Sequence, residues 1–431
     1  MRNLFLFLWM TVAIHAVERP NIILIMVDDM GRDWVSCYGA KHQTPNIDQL
    51  AREGVRYETA WSMPICTPTR VTLLTGQYPC HHGWVQHYDV PRRGGVGLRP
   101  DHFITFARHL RNAGYATAIG GKWQVNHLGK QPDILTHHGF DEHCVWPGVE
   151  ADNPETIERF WNGLIATNGN RAKAVYGPDT INRFLIDFIQ RNKDRPFLVY
   201  YPMLLTHGPY AATPLNETNP PEGKSALYAG NVTYMDHLIG KLVSAVDELR
   251  LAKRTIIIFT GDNGSACSGV LDGKPYPKGK GRKADWGVHV PFIVRAPFLT
   301  KGDIVSLDLI DFTDIYPTFL ELAGIPSPKN LKLDGRSFVP SLRGSEDPFE
   351  KRSWIYSQVG KFRMIRDWHH FLDNQGAFHD IYNDPLKQQK VSPQDKIAPS
   401  RRQRLQMILK RFQVDAPAPF PEFKTKHQSI N

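Results

Sequence analysis

Three uninterrupted apolar runs constrain the fold of this 431-residue chain more than any other feature: Asn21–Val27, Phe197–Tyr201 and Thr255–Thr260. A strand that is covered by helices on both faces is apolar throughout instead of alternating, as in a parallel sheet. Between the runs, Asp179–Asn192 and Tyr228–Arg250 have the apolar spacing of amphipathic helices. We therefore predict an α/β fold with a large mixed, mostly parallel sheet that is flanked by helices.

The C-terminal part of the chain has a different pattern. Residues 326–344 are rich in Pro, Gly and Lys, which is typical of a connector. Three short strand-like runs follow it: Trp354–Gln358, Phe362–Arg366 and His369–Leu372. We expect a main domain over residues 17–344 and a smaller C-terminal α+β domain with its tail over residues 345–431, which carries an antiparallel sheet.

The N-terminus reads as a signal peptide over residues 1–16. Arg2 supplies the positive start, Leu4 to Ile14 is a short apolar core, and Ala16 is a plausible cleavage point. The apolar core is too short for a typical membrane span, although a retained N-terminal anchor stays open as an alternative. This pattern predicts export, to a periplasm or as a secreted protein.

The formal net charge of +9 favours anionic partners. Charge alone does not choose among nucleic acid, a sulfated glycan and an acidic membrane. No nucleic-acid-binding motif accompanies the basic residues, and no stretch after residue 16 resembles a membrane span. We therefore predict no nucleic-acid partner and no stable membrane span.

Unusual polar side chains follow four candidate strands. Two of these positions hold paired oxygen ligands, which suit a hard cation such as Ca²⁺ or Mg²⁺, although a solvated turn is the ordinary interpretation of each alone. The other two hold a lysine and a histidine. In open α/β sheets ligands bind beyond the carboxyl ends of the strands, so these groups are expected to converge. They are Asp28-Asp29, Lys122, His207 and Asp262-Asn263.

A short helix is predicted to begin at the sequence Cys-Thr-Pro-Thr-Arg. Thr67 can cap this helix, Pro68 suits its first turn, and Gly76 is placed to end it. Cys66 would then lie at the helix N-terminus, where free N–H groups favour an anion, and Arg70 adds a guanidinium fork. A capped helix with an inert thiol is the alternative.

These residues resemble the signature of the type I sulfatases, C-x-P-x-R followed by a leucine-rich turn and T-G-x-Y-P, here Cys66–Arg70 and Leu73–Pro79. The resemblance extends over most of residues 20–325 and implies an alkaline-phosphatase-like fold. It also implies a sulfuric ester hydrolase of the arylsulfatase type. In that family a maturation enzyme oxidises the cysteine to formylglycine, whose hydrated aldehyde attacks the sulfur.

The resemblance also implies roles for single residues. The family's D-D-x-G and D-N-G motifs hold the metal, which the resemblance favours as Ca²⁺ with Mg²⁺ possible. The implied metal ligands are Asp28, Asp29, Asp262, Asn263 and the formylglycine at Cys66. The implied catalytic residues are Cys66, Arg70, Lys122, His207 and Lys280.

The chain departs from the family pattern at several positions. Gln124 stands where the motif G-K-W-H-L-G has its histidine, and His127-Leu128-Gly129 resembles the same element displaced by three residues. We therefore include His127 among the catalytic candidates. If His127 does not take the role of the family's histidine, another group must protonate the leaving alcohol. Three further departures in the segment after Lys280 affect loop packing and substrate fit: Asp285, Trp286 and His289.

The sequence thus predicts a sulfatase that acts on an exported anionic substrate, a sulfated polysaccharide or glycan. Substrate specificity is expected in the loops 92–100, 146–170 and 213–225. Two alternatives stay open. One is a phosphate or phosphonate monoester hydrolase with the same nucleophile. The other is a catalytically dead binder of sulfated glycans, which the departures at Gln124 and His289 motivate.

Overall fold

The computed structural model describes residues 19–382, 386, 389–392, 394–413 and 415–417. The predicted signal peptide lies outside these residues. Within them, no helix combines the length and the apolar composition that crossing a membrane requires.

The strands fall into a central sheet, a short hairpin and a small C-terminal sheet. In chain order they are β1 (Asn21–Val27), β2 (Val55–Trp61), β3 (Ala116–Lys122), β4 (Glu142–Trp146), β5 (Leu164–Thr167), β6 (Asn170–Lys173), β7 (Phe197–Pro202), β8 (Thr255–Gly261), β9 (Gly269–Leu271), β10 (Lys274–Tyr276), β11 (His289–Arg295), β12 (Ile304–Asp311), β13 (Ile355–Val359), β14 (Phe362–Arg366), β15 (His370–Asp373), β16 (Phe378–Asp380) and β17 (Gln389–Lys390).

Helices connect the strands, and 3₁₀ turns lie at Arg32–Trp34, Ser36–Tyr38, Pro154–Thr156, Ala252–Arg254 and Phe312–Asp314. The α-helices are α1 (Pro45–Arg52), α2 (Cys66–Thr75), α3 (Pro79–His82), α4 (Val90–Arg93), α5 (Phe106–Asn112), α6 (Ile134–His137), α7 (Gly177–Arg191), α8 (Lys224–Glu248), α9 (Asp285–Val288), α10 (Ile315–Leu322), α11 (Val339–Leu342) and α12 (Ala398–Lys410).

The central sheet has ten strands among the described residues, in the order β12-β2-β11-β8-β1-β7-β3-β4-β5-β6. Strands β8, β1, β7, β3 and β4 are parallel neighbours, whereas β11 and β5 run against the strands beside them. The predicted mixed, mostly parallel sheet is confirmed. Because these five parallel strands are adjacent, the carboxyl ends of β8, β1, β7 and β3 lie side by side at one edge of the sheet.

Strand β1 shows why the apolar runs do not alternate. Ile22, Leu24 and Met26 pack into one core, and Ile23 and Ile25 pack into a second core on the other face of the sheet. Helices cover both faces, so every side chain of this strand is buried. The sheet is therefore fixed between two layers, and its strand ends are held in defined positions.

The small C-terminal sheet is antiparallel, in the order β13-β14-β15-β16-β17, as predicted. It shares its cores with the main body: Tyr356 packs edge-on against Tyr78 at 4.7 Å between ring centroids, and Phe371 packs against Trp61 at 6.1 Å. The domain boundary after residue 344 stays a prediction, because the two parts bury apolar surface against each other.

Candidate active site

The two acidic pairs meet at the ends of neighbouring strands. Asp28 and Asp29 follow β1, and Asp262 follows β8. At Asp29 the backbone adopts a left-handed φ of 65°, and its N–H donates to Asp262 Oδ1 at 2.9 Å. Asn263 reaches back, with Nδ2 donating to Asp29 Oδ1 at 3.0 Å. The structure thus brings these predicted metal ligands together, and all of them are buried.

Two buried cations hold this acidic group from the side of the sheet. Lys122 ends β3, and its Nζ donates to Asp28 Oδ2 at 2.6 Å. Arg70 donates from Nη2 to Asp262 Oδ2 at 3.1 Å and from Nη1 to the Lys122 carbonyl oxygen at 2.9 Å. Burial disfavours ionisation of both carboxyls. Lys122 nevertheless holds the pKa of Asp28 well below its usual range, whereas burial and the charge of Asp28 raise the pKa of Asp262 well above it.

His207 and Lys280 meet the same carboxylate from the solvent side. Lys280 Nζ donates to Asp29 Oδ2 at 2.6 Å, and His207 Nε2 lies 3.7 Å from that oxygen. Burial disfavours the charge of Lys280, but Asp29 raises the pKa of its ammonium group above the ordinary value. Burial lowers the pKa of His207 to about 4. Near neutral pH the protein therefore presents a charged lysine and a neutral imidazole here.

Helix α2 places Cys66 beside this group, but its N-terminus differs from the prediction. The helix begins at Cys66 with Ile65 as the capping residue, and Thr67 does not cap it. Thr69 provides the fixing contacts instead, since its hydroxyl donates to the Ile65 carbonyl at 3.0 Å and lies 2.8 Å from the Asp262 carbonyl oxygen. Gly76 ends the helix in the left-handed region, as predicted. Cys66 is buried, and all cysteines are free thiols.

His87 was missed by the sequence analysis. Its Nδ1 lies 3.9 Å from Cys66 Sγ, 2.8 Å from Thr67 Oγ1 and 3.2 Å from Gln124 Nε2. Gln124 has a left-handed φ of 73° and is buried. Burial lowers the pKa of His87 to about 4, with Asp89 acting in the opposite direction. The segment before α4 has no motif that would have indicated this contact.

Arg159 is a second residue that the motifs did not reveal, although it lies in the predicted specificity loop 146–170. It is 7% exposed, and its guanidinium stacks over the Trp146 ring at 4.1 Å from the ring centroid. Its Nη1 lies 3.1 Å from His207 Nδ1, and its buried Nε has no hydrogen-bond partner in the described part of the chain. Burial lowers the pKa of Arg159, while Asp28 acts in the opposite direction.

His127, the displaced-motif candidate, lies elsewhere. Its Nδ1 is 3.4 Å from Glu150 Oε1, and its Nε2 is 3.3 Å from Asp152 Oδ1. None of the contacts recorded for the described residues joins it to Cys66. The structure therefore does not bring His127 together with the other candidates, because its side chain contacts Glu150 and Asp152 instead.

Two of the sequence departures after Lys280 compensate each other. Asp285 Oδ2 lies 2.9 Å from His289 Nδ1, and Asp285 Oδ1 accepts hydrogen bonds from Arg366 at 2.8 Å and from Trp61 at 3.0 Å. Burial raises the pKa of Asp285, but His289 and Arg366 together hold it far below its ordinary value. The segment that carries Lys280 is therefore anchored to strand β14 of the small sheet.

The donor set fits a hard cation. Single ligand atoms of Asp28, Cys66 and Asp262 all lie within 4.8 Å of one another. Within the described residues, Asp28 Oδ1 and Asn263 Oδ1 are buried and have no hydrogen-bond partner. Buried acceptors without a partner are rare, and free carboxylate and amide oxygens are the ligands that Ca²⁺ and Mg²⁺ take. The residues present thus fit the implied divalent ion.

The family model described as "Sulfatase" matches residues 20–325. N-acetylgalactosamine-6-sulfatase of Canis lupus familiaris is 31% identical over 78% of this chain and 68% of its own length, and human steryl-sulfatase is 30% identical over 85% and 76%. The crystal structure of Ps i-CgsB matches with a TM-score of 0.79 at 27% identity, over 93% of this chain and 94% of that one, and the same protein was also solved with k-i-k-neocarrahexaose.

A mostly parallel sheet whose strand ends collect carboxylates and cations around a cysteine defines a hydrolase of the sulfatase type. The chain belongs to the sulfatase family and is a sulfuric ester hydrolase.

Proposed function

We propose that this protein removes a sulfate ester from a saccharide, with residue 66 as the nucleophile after oxidation to formylglycine. The observation that carries the proposal is the convergence of Cys66 with the carboxylates that follow β1 and β8 and with three cations, Arg70, Lys122 and Lys280. Oxidation replaces the C–S bond of Cys66 with C=O, taking oxygen from water. Sulfur leaves as sulfide, and two electrons and two protons pass to an acceptor that the maturation enzyme supplies.

The metal ligands in this proposal are Asp28, Asp29, Asp262 and Asn263 together with residue 66. A bound Ca²⁺, or Mg²⁺, would supply positive charge that stabilises oxygens as charge develops on them. The hydrated aldehyde would offer one hydroxyl for attack on sulfur and a second that helps release sulfate. The chain's own contribution is to keep these oxygen ligands dry, oriented and close to Cys66.

The sulfate ester in this proposal is bound by Lys122, Lys280 and the neutral imidazole of His207, and Arg70 supports the charged hydroxyl. A carboxylate fixes each of the three cations, so their charges are oriented before substrate arrives. His207 lies beside Asp29 and contributes a hydrogen-bonding ring nitrogen. Fixed donors in a water-excluded site stabilise the oxygens on which charge develops without reorganising during reaction.

The leaving alcohol oxygen needs a hydrogen-bond or proton donor. Gln124 cannot donate a proton, and His127 contacts Glu150 and Asp152 instead. We assign this role to His87, because its Nδ1 is 3.9 Å from Cys66 Sγ while the Gln124 amide and the Thr67 hydroxyl lie beside the ring. Burial lowers the pKa of His87 to about 4, so the ring is neutral in the free enzyme. In this proposal the bound anionic ester favours the protonated ring, which then donates to the leaving oxygen. His127 keeps its place among the candidates only as the weaker alternative.

A saccharide substrate is supported by two further observations. A cavity of about 650 Å³ opens beside the site, with Asp29, His207 and Lys280 at its inner end. Ps i-CgsB, solved with k-i-k-neocarrahexaose, covers nearly the same length of chain. The net charge of +9 and the predicted signal peptide suit an exported enzyme that meets a polyanion in a periplasm or outside the cell.

The test is a substrate panel on the full chain after intact-mass analysis has shown the oxidised residue 66. Sulfated mono- and oligosaccharides, an aryl sulfate, an aryl phosphate and a phosphonate monoester are compared by kcat/KM. We expect the sulfate esters to be turned over faster than the phosphorus esters, and Cys66→Ala to abolish turnover. Faster phosphate or phosphonate turnover would overturn the proposal, as would saccharide binding without turnover by the oxidised protein.

A further inference from the structure

The cavity beside the catalytic group is lined by more residues than that group contains. Asp29, His207 and Lys280, which are buried or half-buried, belong to the group around Cys66. The wall also includes two exposed lysines, Lys224 and Lys278, which we call the outer lysines. A substrate held at Cys66 could therefore extend past Lys280 toward the outer lysines.

Both outer lysines are exposed, and neither has a carboxylate partner in the described part of the chain. Lys224 is the first residue of α8, and its Nζ lies 5.7 Å from the centroid of the Tyr210 ring. Lys278 lies in the same backbone segment as Lys280. These two ammonium groups thus differ from Lys280, whose charge is already engaged by Asp29.

Lys224 and Lys278 line the same cavity, although they come from α8 and from the segment that carries Lys280. Since neither has a carboxylate partner among the described residues, both charges stay available to an anion in the cavity. We call these two lysines the cationic edge.

The wall between the two cationic regions is suited to a sugar ring. Tyr210 is held edge-on against Tyr228, with ring centroids 5.3 Å apart, and Pro209 and Leu227 line the cavity beside it. Ligand sites of this kind combine apolar and aromatic surface with a few placed polar groups. One sugar ring on this wall would lead from the scissile sulfate to the outer lysines.

We propose that Lys224 and Lys278 bind a second anionic group of the substrate, so that the preferred substrate is an oligosaccharide with two or more such groups. This inference rests on the proposed function, since it places the scissile sulfate at Cys66. A second sulfate ester and the carboxylate of a uronic acid offer the same charge at this edge, and the substrates below distinguish them. Two oxygen-rich anions of this kind suit the lysine ammonium, which donates hydrogen bonds in three directions.

The kinetic test compares the parent enzyme with Lys224→Ala, Lys278→Ala and the double variant. The substrates are a monosulfated neutral oligosaccharide, its disulfated counterpart and a monosulfated counterpart with a uronic acid. Lys253→Ala is the matched control, because Lys253 is an exposed lysine just before β8, at the edge of the sheet opposite the site. An aryl sulfate, too short to reach the edge, reports on the chemistry alone.

We expect the parent enzyme to have a lower KM for at least one of the two dianionic substrates than for the monosulfated neutral oligosaccharide. The double variant should raise that KM about fivefold to tenfold, in line with two solvent-exposed ion pairs, and leave kcat unchanged. The monosulfated neutral oligosaccharide and the aryl sulfate should keep their KM in every variant. An unchanged KM for both dianionic substrates in the double variant, or an equal rise in Lys253→Ala, would overturn the inference.

A binding measurement separates this inference from the proposed function. Cys66→Ala protein, which cannot turn over, is titrated calorimetrically with the disulfated and the uronic-acid oligosaccharide, with and without the two lysine substitutions. Weaker binding of either ligand in the triple variant, with no change for the monosulfated neutral ligand, supports the second anion site even if catalysis fails. Equal binding of all ligands by both proteins would refute it.

Discussion

His87 Nδ1 lies 3.9 Å from Cys66 Sγ and 3.2 Å from Nε2 of Gln124, the residue that stands where the family motif has its histidine. If His87 assists the departing oxygen, its loss should matter most for poor leaving groups. We predict that His87→Ala lowers kcat/KM for a saccharide sulfate by about 10²-fold or more, and for a nitrophenyl sulfate much less, because a good leaving group needs little protonation.

The matched control for His87 is His137→Ala, an exposed histidine at the end of α6. A merely structural role for His87 would lower the rates of both substrates equally. Such a parallel loss, or a larger loss in His127→Ala with the same leaving-group dependence, would contradict the assignment.

Asn263 Oδ1 is buried and has no hydrogen-bond partner among the described residues, so it is a candidate ligand for the proposed metal ion. A ligand that binds only the folded protein raises its melting temperature, and the rise grows with ligand concentration. We predict that millimolar Ca²⁺ raises the Tm of the chelator-treated protein, and that Asn263→Ala loses most of this shift. Asn219→Ala, at an exposed loop position, should keep it. Equal shifts in both variants would remove Asn263 from the ligand set.

Arg159 acts through His207 in our interpretation and is a positioning residue. The guanidinium is fixed over Trp146 and lies 3.1 Å from His207 Nδ1. We predict that Arg159→Ala lowers kcat/KM about tenfold or more, and that Arg159→Lys does not restore it, because lysine lacks the planar stacking group. Arg183→Ala on the exposed face of α7 is the control.

A double-mutant cycle tests this coupling between Arg159 and His207. Non-additive losses in kcat/KM are expected when both are replaced by alanine, since contacting residues interact. Additive losses would mean that Arg159 contributes independently of His207.

Asp285 should make stability depend on pH in a defined direction. His289 and Arg366 hold its folded-state pKa below the value of about 3.9 expected in an unfolded chain. The resulting stabilisation is fully present above about pH 4 and is lost as the pH falls toward the folded pKa. We predict that Asp285→Asn lowers the free energy of unfolding by about 3 kcal/mol or more at pH 7, as is typical when one partner of a buried pair is removed.

The measurement is denaturant unfolding at pH 7 and at several values below pH 4. The difference between parent and Asp285→Asn should shrink on acidification, whereas the exposed control Asp194→Asn should differ little from the parent at any pH. A constant difference across this range would show that the Asp285 carboxylate charge is not what stabilises the fold.

The apolar runs predicted the centre of the fold correctly because burial on both faces leaves a strong signal in the sequence. β1, β7 and β8 were found within a residue or so of their ends. The partners β2 and β11 were not predicted. β2 mixes charged and apolar residues, and β11 contains Pro291, so neither has the pattern of a buried strand.

The candidate site also contains residues that the sequence predicted and residues that it did not. Asp28, Lys122 and Asp262 stand at strand ends, where the rule for parallel sheets predicts convergence. His87 and Arg159 come from irregular segments, and which long-range contact such a segment makes depends on packing that no local pattern encodes. The resemblance implies a histidine where this chain has Gln124, and His127 was the candidate for its role. The structure brings His87, from a different segment, to 3.2 Å from the Gln124 amide.

The tie between Asp285 and Arg366 carries a consequence for how this enzyme can diversify. Arg366, in the C-terminal part of the chain, pairs with the buried Asp285 carboxylate, which follows Lys280 in the main part. A substitution at either of these two positions therefore affects the other. If the C-terminal part were exchanged between homologues, a residue other than arginine at position 366 would leave the buried Asp285 carboxylate without this partner and would loosen the segment that carries Lys280.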